Sequence, residues 1–194
     1  MYTLGIIIGS TRPARKGIAV AEWIINVAKE HTNFKVEVMD LKEINLPFLD
    51  EQHHPRLKKY EHEHTKQWSR QVENADAFIF VSPEYNYGFS APLKNAIDYL
   101  FAEWQYKPVG FVTYGGISGG IRALQMIKQV VTGLNMIPVV EAVNIPHFIK
   151  FLDSNHKFIA TEEQQKAANN MLLSIEKWTS AMQVMRGKNI PAST

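Results

Sequence analysis

The chain contains no cysteine in its 194 residues. That one absence removes disulfides, thiolate metal sites, iron–sulfur clusters, thiol redox and cysteine nucleophiles together. Any redox chemistry here needs a borrowed cofactor. Charge of one sign is lacking too: 21 Lys and Arg against 19 Asp and Glu leave +2, too small a surplus to imply a nucleic-acid or anionic-membrane surface. Long hydrophobic runs are missing. The apolar opening from Leu4 to Ile8 is closed by Gly9 and has no basic segment before it, so neither a signal peptide nor a membrane span is expected. No Asn-x-Ser/Thr acceptor occurs, and the expectation is a cytoplasmic protein with no nucleic-acid or membrane partner. With 45% hydrophobic residues the length suits one buried core: a single domain over 1–186 and a flexible tail over 187–194.

What is present alternates between two patterns. Leu4–Ile8, Ala77–Val81, Pro108–Tyr114 and Met136–Val143 are short apolar runs, the pattern of strands buried on both faces, while Phe34–Leu41 alternates like a strand near a sheet edge. Between them lie helical periodicities. Val20, Ala21, Ile24, Val27 and Ala28 share one face, as do Trp68, Val72 and Ala75. Ser90 caps a helix with Pro92 in its first turn and an unusually large apolar face of Leu93, Ala96, Ile97, Leu100 and Phe101. Ser118 is expected to cap a helix through Ile121, Leu124, Ile127 and Val131, with Gly133 at its left-handed end. Thr161 and Gln164 form a capping box ahead of Ala168, Met171, Leu172, Ile175 and Trp178. Strands joined through helices, without hairpin turns, require right-handed crossovers and a parallel sheet covered on both sides. The ligand site of such a sheet lies at the carboxyl ends of its strands.

Three connections at that edge carry chemistry. The first, Gly9-Ser10-Thr11-Arg12-Pro13-Ala14-Arg15-Lys16-Gly17, sets hydroxyls, two arginines and a lysine at a helix start, a site for a dianionic phosphate. It matches neither the P-loop nor the G-x-G-x-x-G pattern, which leaves a terminal phosphomonoester. Next comes Ser82-Pro83-Glu84-Tyr85-Asn86-Tyr87-Gly88-Phe89-Ser90, whose aromatics suit either a flat ring ligand or packing against the next helix. The third, Thr113-Tyr114-Gly115-Gly116-Ile117-Ser118-Gly119-Gly120, is glycine-rich and lets backbone approach a ligand closely. Together they describe a pocket for a mononucleotide with a planar ring.

Gly9-Ser10-x-Arg12, then Pro83-Glu84-Tyr85-Asn86 and Ala91-Pro92-Leu93-Lys94-Asn95-Ala96-Ile97-Asp98, resemble the NADPH-dependent FMN reductase family of flavodoxin-like quinone, azo-dye and chromate reductases. The resemblance runs from about Met1 to Trp178. It implies a flavodoxin-like three-layer α/β sandwich with a five-stranded parallel sheet in the order 2-1-3-4-5. It further implies bound FMN, NADPH or NADH as reductant, and a quinone, azo compound, free flavin or similar acceptor. By that likeness Ser10, Arg12, Gly17 and Ile18 hold the FMN phosphate, while Pro83, Glu84, Tyr85, Asn86 and Tyr87 line the flavin ring. Tyr114, Gly115 and Gly116 face the ring's pyrimidine edge. Many relatives have a serine and an asparagine where this chain has Lys16, Gly17 and Ile18, so a hydroxyl contact is expected to be lost, with Arg15 or Lys16 compensating by charge. Because the flavin carries the chemistry, no catalytic side chain is expected. Backbone amides near Glu84 to Tyr87 and at Gly116 are expected to face the reduced ring's charge. A homodimer, or a tetramer built on it, is expected through the helix from Leu93 to Phe101.

Other readings compete. Gly116-x-Ser118-x-Gly120 matches the nucleophile elbow, with Glu141 or Asp153 and then His156 in hydrolase order, yet no oxyanion segment accompanies it. An electron-carrier flavodoxin would keep the FMN without turnover, but such carriers are acidic and this chain is not. His53, His54, His62 and His64 crowd a connection over residues 42–64, read as a solvated surface segment in preference to a metal site.

Overall fold

The computed structural model describes residues 1–187; the expected tail lies outside them apart from Gly187. Five strands, β1 (Tyr2–Ile8), β2 (Phe34–Asp40), β3 (Ala77–Pro83), β4 (Pro108–Gly115) and β5 (Ile137–Pro146), form one sheet. Its order is β2-β1-β3-β4-β5 and every pairing is parallel, as expected. The central strands are the continuous apolar runs: β3 is buried along its whole length. Edge strand β2 departs from simple alternation. Phe34 and Val36 join the core on one face and Met39 the core on the other, while Val38 is exposed. A sheet covered on both faces draws apolar side chains both ways even at its edge.

Helices α1 (Ile18–Lys29), α2 (Leu41–Ile44), α3 (Glu63–Asn74), α4 (Ala91–Asp98), α5 (Ile121–Thr132) and α6 (Glu162–Met182) supply the outer layers. Residues of α1 and α6 pack with Leu4, Ile6, Ile79 and Val112 on one face. Those of α3, α4 and α5 pack with Phe78, Phe80 and Phe111 on the other. Thr161 and Gln164 form the expected capping box.

Ser90 stands at the α4 N-cap position, but its hydroxyl donates 2.6 Å to the Gly9 carbonyl, tying that helix to the first connection. Helix α5 begins later than expected. Gly120 is its N-cap at φ 87°, in a left-handed conformation natural to glycine, and a side chain there would strike Thr113. At the other end Gly133 is right-handed, and Asn135 at φ 56° makes the left-handed turn.

The large face of α4 turns inward. Leu93, Ala96, Ile97, Leu100 and Trp104 are buried within the chain, under Trp68, Phe78 and Phe80. Both indoles donate to carbonyls near the helix end, Trp68 to Ala96 at 2.8 Å and Trp104 to Ile97 at 3.1 Å. The first satisfies an acceptor that the helix terminus leaves open, and the second shares the Ile97 carbonyl with the Leu100 amide at 3.3 Å. This corrects the expectation of surplus apolar surface on that face for Leu93, Ala96, Ile97 and Leu100, which aromatic residues from α3, β3 and the Ala102–Trp104 turn cover; Phe101 is half-buried, with the Arg56 guanidinium 4.4 Å from its ring centroid.

Residues 42–64 are not one loop. They include most of α2 and a 3₁₀ turn at Pro55–Leu57, and they are braced to the body. Tyr60 donates to the buried Glu103 carboxylate at 2.8 Å, while Tyr99 and His64 both reach Asp50, at 2.9 and 3.0 Å. His62 and His64 stack on one another. Among the described residues no group of three or more His, Asp or Glu is placed to hold a metal ion, and no helix is long and apolar enough to cross a membrane.

Candidate functional site

All five strands deliver their carboxyl ends to one edge, and there a cavity of about 690 Å³ opens. Its walls come from the exits of β1, β3, β4 and β5, the place an open α/β sheet reserves for ligands. From the first connection Ser10, Arg12, Arg15, Lys16 and Gly17 line it; Ile18 does not, being packed as the first residue of α1. Pro83, Glu84 and Tyr85 come from the second, and Tyr114, Gly115 and Gly116 from the third. Asn86 and Tyr87 stand outside the lining.

The two arginines of the first connection have different fates. Arg15 forms a two-pronged pair with Asp40, one contact at 2.6 Å, and also donates to the Ser10 carbonyl. Its hydrogen bond to Asp40 raises its pKa further. Arg15 therefore shapes the loop with its charge already balanced. The Arg12 and Lys16 side chains make no hydrogen bond or ion pair among the described residues. Beside them Gly17 is the N-cap of α1, which has no side-chain cap and no acidic residue in its first turn. Free cations next to open helix amides are what a phosphate requires.

Gly17 is there for lack of space. A Cβ on it would fall 1.9 Å from the Tyr114 hydroxyl, so the phenol lies against the helix start. Burial pushes that phenol well above its usual pKa range, so it stays protonated, a neutral wall. Across the cavity the Tyr85 hydroxyl lies 3.3 Å from Ser10 Oγ, joining the second connection to the first.

Glu84 does something unforeseen. Its carboxylate accepts from the Arg122 amide at 3.1 Å and from Arg122 Nε at 2.7 Å, capping α5 from a distance in sequence. Burial alone would raise its pKa, but hydrogen bonds from Ser118 and the Ala123 amide, with the Arg122 charge, outweigh it and hold the group below its ordinary value. The backbone donors are narrowed as well. The Glu84 and Tyr85 amides are taken by the Tyr114 and Gly88 carbonyls, leaving those of Asn86, Tyr87 and Gly116 without a partner among the described residues. A Cβ on Gly116 would meet nothing within 4 Å, so this part of the shelf stands clear.

A fourth wall was not anticipated. His147, Phe148, Ile149 and Lys150, on the turn after β5, also line the cavity, as does Ala14. That turn is fastened to the glycine shelf: the His147 amide donates to Gly116 at 2.9 Å, and Phe148 lies against Tyr114 with centroids 4.8 Å apart. Its signals were the Pro146-His147 break and the aromatics behind it, at one of the two remaining strand exits on this edge. None of the histidines at 53–64 reaches the cavity. Ser118 lies outside it as well; its hydroxyl accepts weakly from Gly120 at 3.4 Å, and no histidine contacts it among the described residues.

The donor set fits an FMN-sized ligand: unpaired cations at one end, an exposed glycine shelf, and aromatic walls. Fold and site together define a flavodoxin-like flavoenzyme. The chain matches the NADPH-dependent FMN reductase family over residues 2–150, and it belongs to that family. It is 41% identical over 145 residues to an NAD(P)H-dependent FMN reductase of Schizosaccharomyces pombe, covering 73% of this chain and 72% of the relative. An FMN-dependent NADPH-azoreductase of Staphylococcus saprophyticus is 31% identical over 170 residues, or 84% and 87% of the two chains. In fold it is similar to the flavoenzyme NAD(P)H:(acceptor) oxidoreductase of Paracoccus denitrificans, with TM-score 0.73, 19% identity and 91% and 98% of the chains covered. The protein is thus an FMN-dependent NAD(P)H oxidoreductase.

Proposed function

We propose that the cavity holds one FMN and that the protein passes reducing equivalents from NADPH or NADH to a small planar acceptor: a quinone, an azo compound or free flavin. The observation that carries this is the convergence of four strand exits on one cavity with two unpaired cations at its β1 end. When bound, FMN supplies hydride acceptance and donation at its ring. The chain supplies the rest. Arg12 and Lys16 neutralise the phosphate, and the first amides of α1 donate to it. Ser10 orients it, with its carbonyl held by Arg15. Tyr85, Tyr114 and Phe148 exclude water from the ring, and the Gly116 amide donates toward negative charge on it. A cytoplasmic location is part of the same reading.

The chain is further proposed to act as a homodimer, on the outer side of α4 in place of the buried side. Phe48 is 85% exposed there although its segment is braced, with Asn95 bonding the Pro47 carbonyl and the Leu49 amide. A hollow of about 510 Å³ lies beside it, between α2 and the start of α4. A large apolar ring fixed in solvent next to a hollow suits a second copy of the chain.

Titration of flavin-free protein with FMN tests the cofactor reading. Quenching of flavin fluorescence that saturates at one FMN per chain is expected. Unchanged FMN fluorescence would overturn it.

A further inference from the structure

The turn carrying the aromatics is strained, and burial does not hold it. Tyr85 and Gly88 exchange two backbone hydrogen bonds of 2.8 and 2.9 Å, closing a two-residue turn through Asn86 at φ 48° and Tyr87 at φ 71°. Two successive left-handed residues make the tight turn that ordinarily takes Asn-Gly, and a ring-bearing residue enters that region only at a cost. Tyr87 is 67% exposed, so packing into the core does not offset that cost. What touches its ring is Arg122, whose guanidinium carbon lies 3.8 Å from the centroid. Arg122 is itself held by Glu84, whose side chain is only 6% exposed. One side chain of α5 thus grips the residue before the turn and the second of its two central residues. Between those two grips stands Tyr85, the one aromatic of this connection that lines the cavity, with its hydroxyl against Ser10.

We propose that Arg122 is a positioning residue for the cavity: by pairing with Glu84 and stacking on Tyr87 it holds the strained turn and so fixes where Tyr85 stands in the cavity wall. The inference rests on the reading of the cavity as the FMN site. Arg122 touches no lining ring itself and acts through Tyr87 and Glu84. The requirement is for a planar fork, since pairing edge-on with a carboxylate while stacking face-on against a ring is open to a guanidinium and closed to an ammonium. Lysine at this position keeps the charge and loses one contact or the other.

The experiment compares wild-type protein with Arg122→Lys, Arg122→Ala, Tyr87→Leu and the Arg122→Ala/Tyr87→Leu double variant. Each flavin-free protein is titrated with FMN, and the visible circular dichroism of its bound flavin and its thermal midpoint are recorded. The expected result is about tenfold weaker FMN binding in each single variant, Arg122→Lys included, with altered flavin dichroism and a thermal midpoint within a few degrees of wild type. In the double variant the losses do not add, because both residues act through one contact. Wild-type affinity and dichroism in Arg122→Lys and Arg122→Ala, or fully additive losses, would overturn the inference while leaving the FMN site standing. Failure of the wild-type protein itself to bind FMN would overturn the site reading and the inference with it. If Arg122→Ala does not fold, Arg122→Lys and Tyr87→Leu, at a partly exposed and an exposed position, decide the matter by the same readouts.

Discussion

Arg12 and Arg15 lie three positions apart and do opposite work. Arg15 is balanced by Asp40, 25 positions along the chain, and spends its donors on holding the Ser10 carbonyl. Arg12 lines the cavity with no hydrogen bond or ion pair among the described residues, and the proposed role gives its charge to the phosphate. Arg12→Ala is therefore expected to weaken FMN binding by about tenfold to a hundredfold, the worth of a charge-assisted hydrogen bond to phosphate. His62→Ala, outside the cavity, is expected to leave binding unchanged. Flavin fluorescence titration of the two variants checks this, and equal losses would contradict the assignment. That Ser10, Arg12 and Gly17 line the cavity was legible in the sequence, because their loop follows the first strand and leads into a helix start, with hydroxyl, guanidinium and open backbone together. The partner claiming Arg15 was not, since an acid 25 positions away carries no local mark. Glu84 shows the same limit: its motif marked it as a residue of the site, but its carboxylate answers to α5, 38 positions on.

Helix α4 illustrates how an element can be read correctly and its surroundings misread. Its start, its proline and its apolar periodicity follow from sequence. What covers the apolar face does not, because Trp68, Phe78 and Trp104 arrive from three separate segments. Burying one such ring contributes about 2 kcal/mol, so the face is satisfied without a second subunit. The proposed dimer therefore rests on the outer side and Phe48. Phe48→Asp is expected to yield a monomer in sedimentation equilibrium where wild type sediments at twice the chain mass, with flavin-free stability little changed because Phe48 is exposed. A wild-type monomer at micromolar concentration would contradict it. Element order was legible because continuous apolar runs and helical periodicities are local signals. The start of α5 was not, because its cap comes from Glu84 at the end of another strand.

At the scale of the whole molecule, parallel connectivity alone brings the site together. Every strand exit falls on one edge, and β1 and β5 lie three strand spacings apart, about 14 Å. A cavity spanning that distance has room for a phosphate at the β1 end and a ring toward β4 and β5. The chemistry-bearing loops after β1, β3 and β4 announced themselves by residue type. The turn after β5 did not, because only the strand order brings Phe148 and Lys150 into one cavity with Arg12 and Tyr85. The absence of cysteine fits the same arrangement, since the electrons have a bound ring to pass through. The most direct test of the account is an anaerobic spectrum of the FMN-loaded protein. NADPH or NADH is expected to bleach the visible absorption band of the oxidised flavin, and a quinone added afterwards is expected to restore it. A flavin band that neither coenzyme bleaches, or that stays bleached when the quinone is added, would contradict the account.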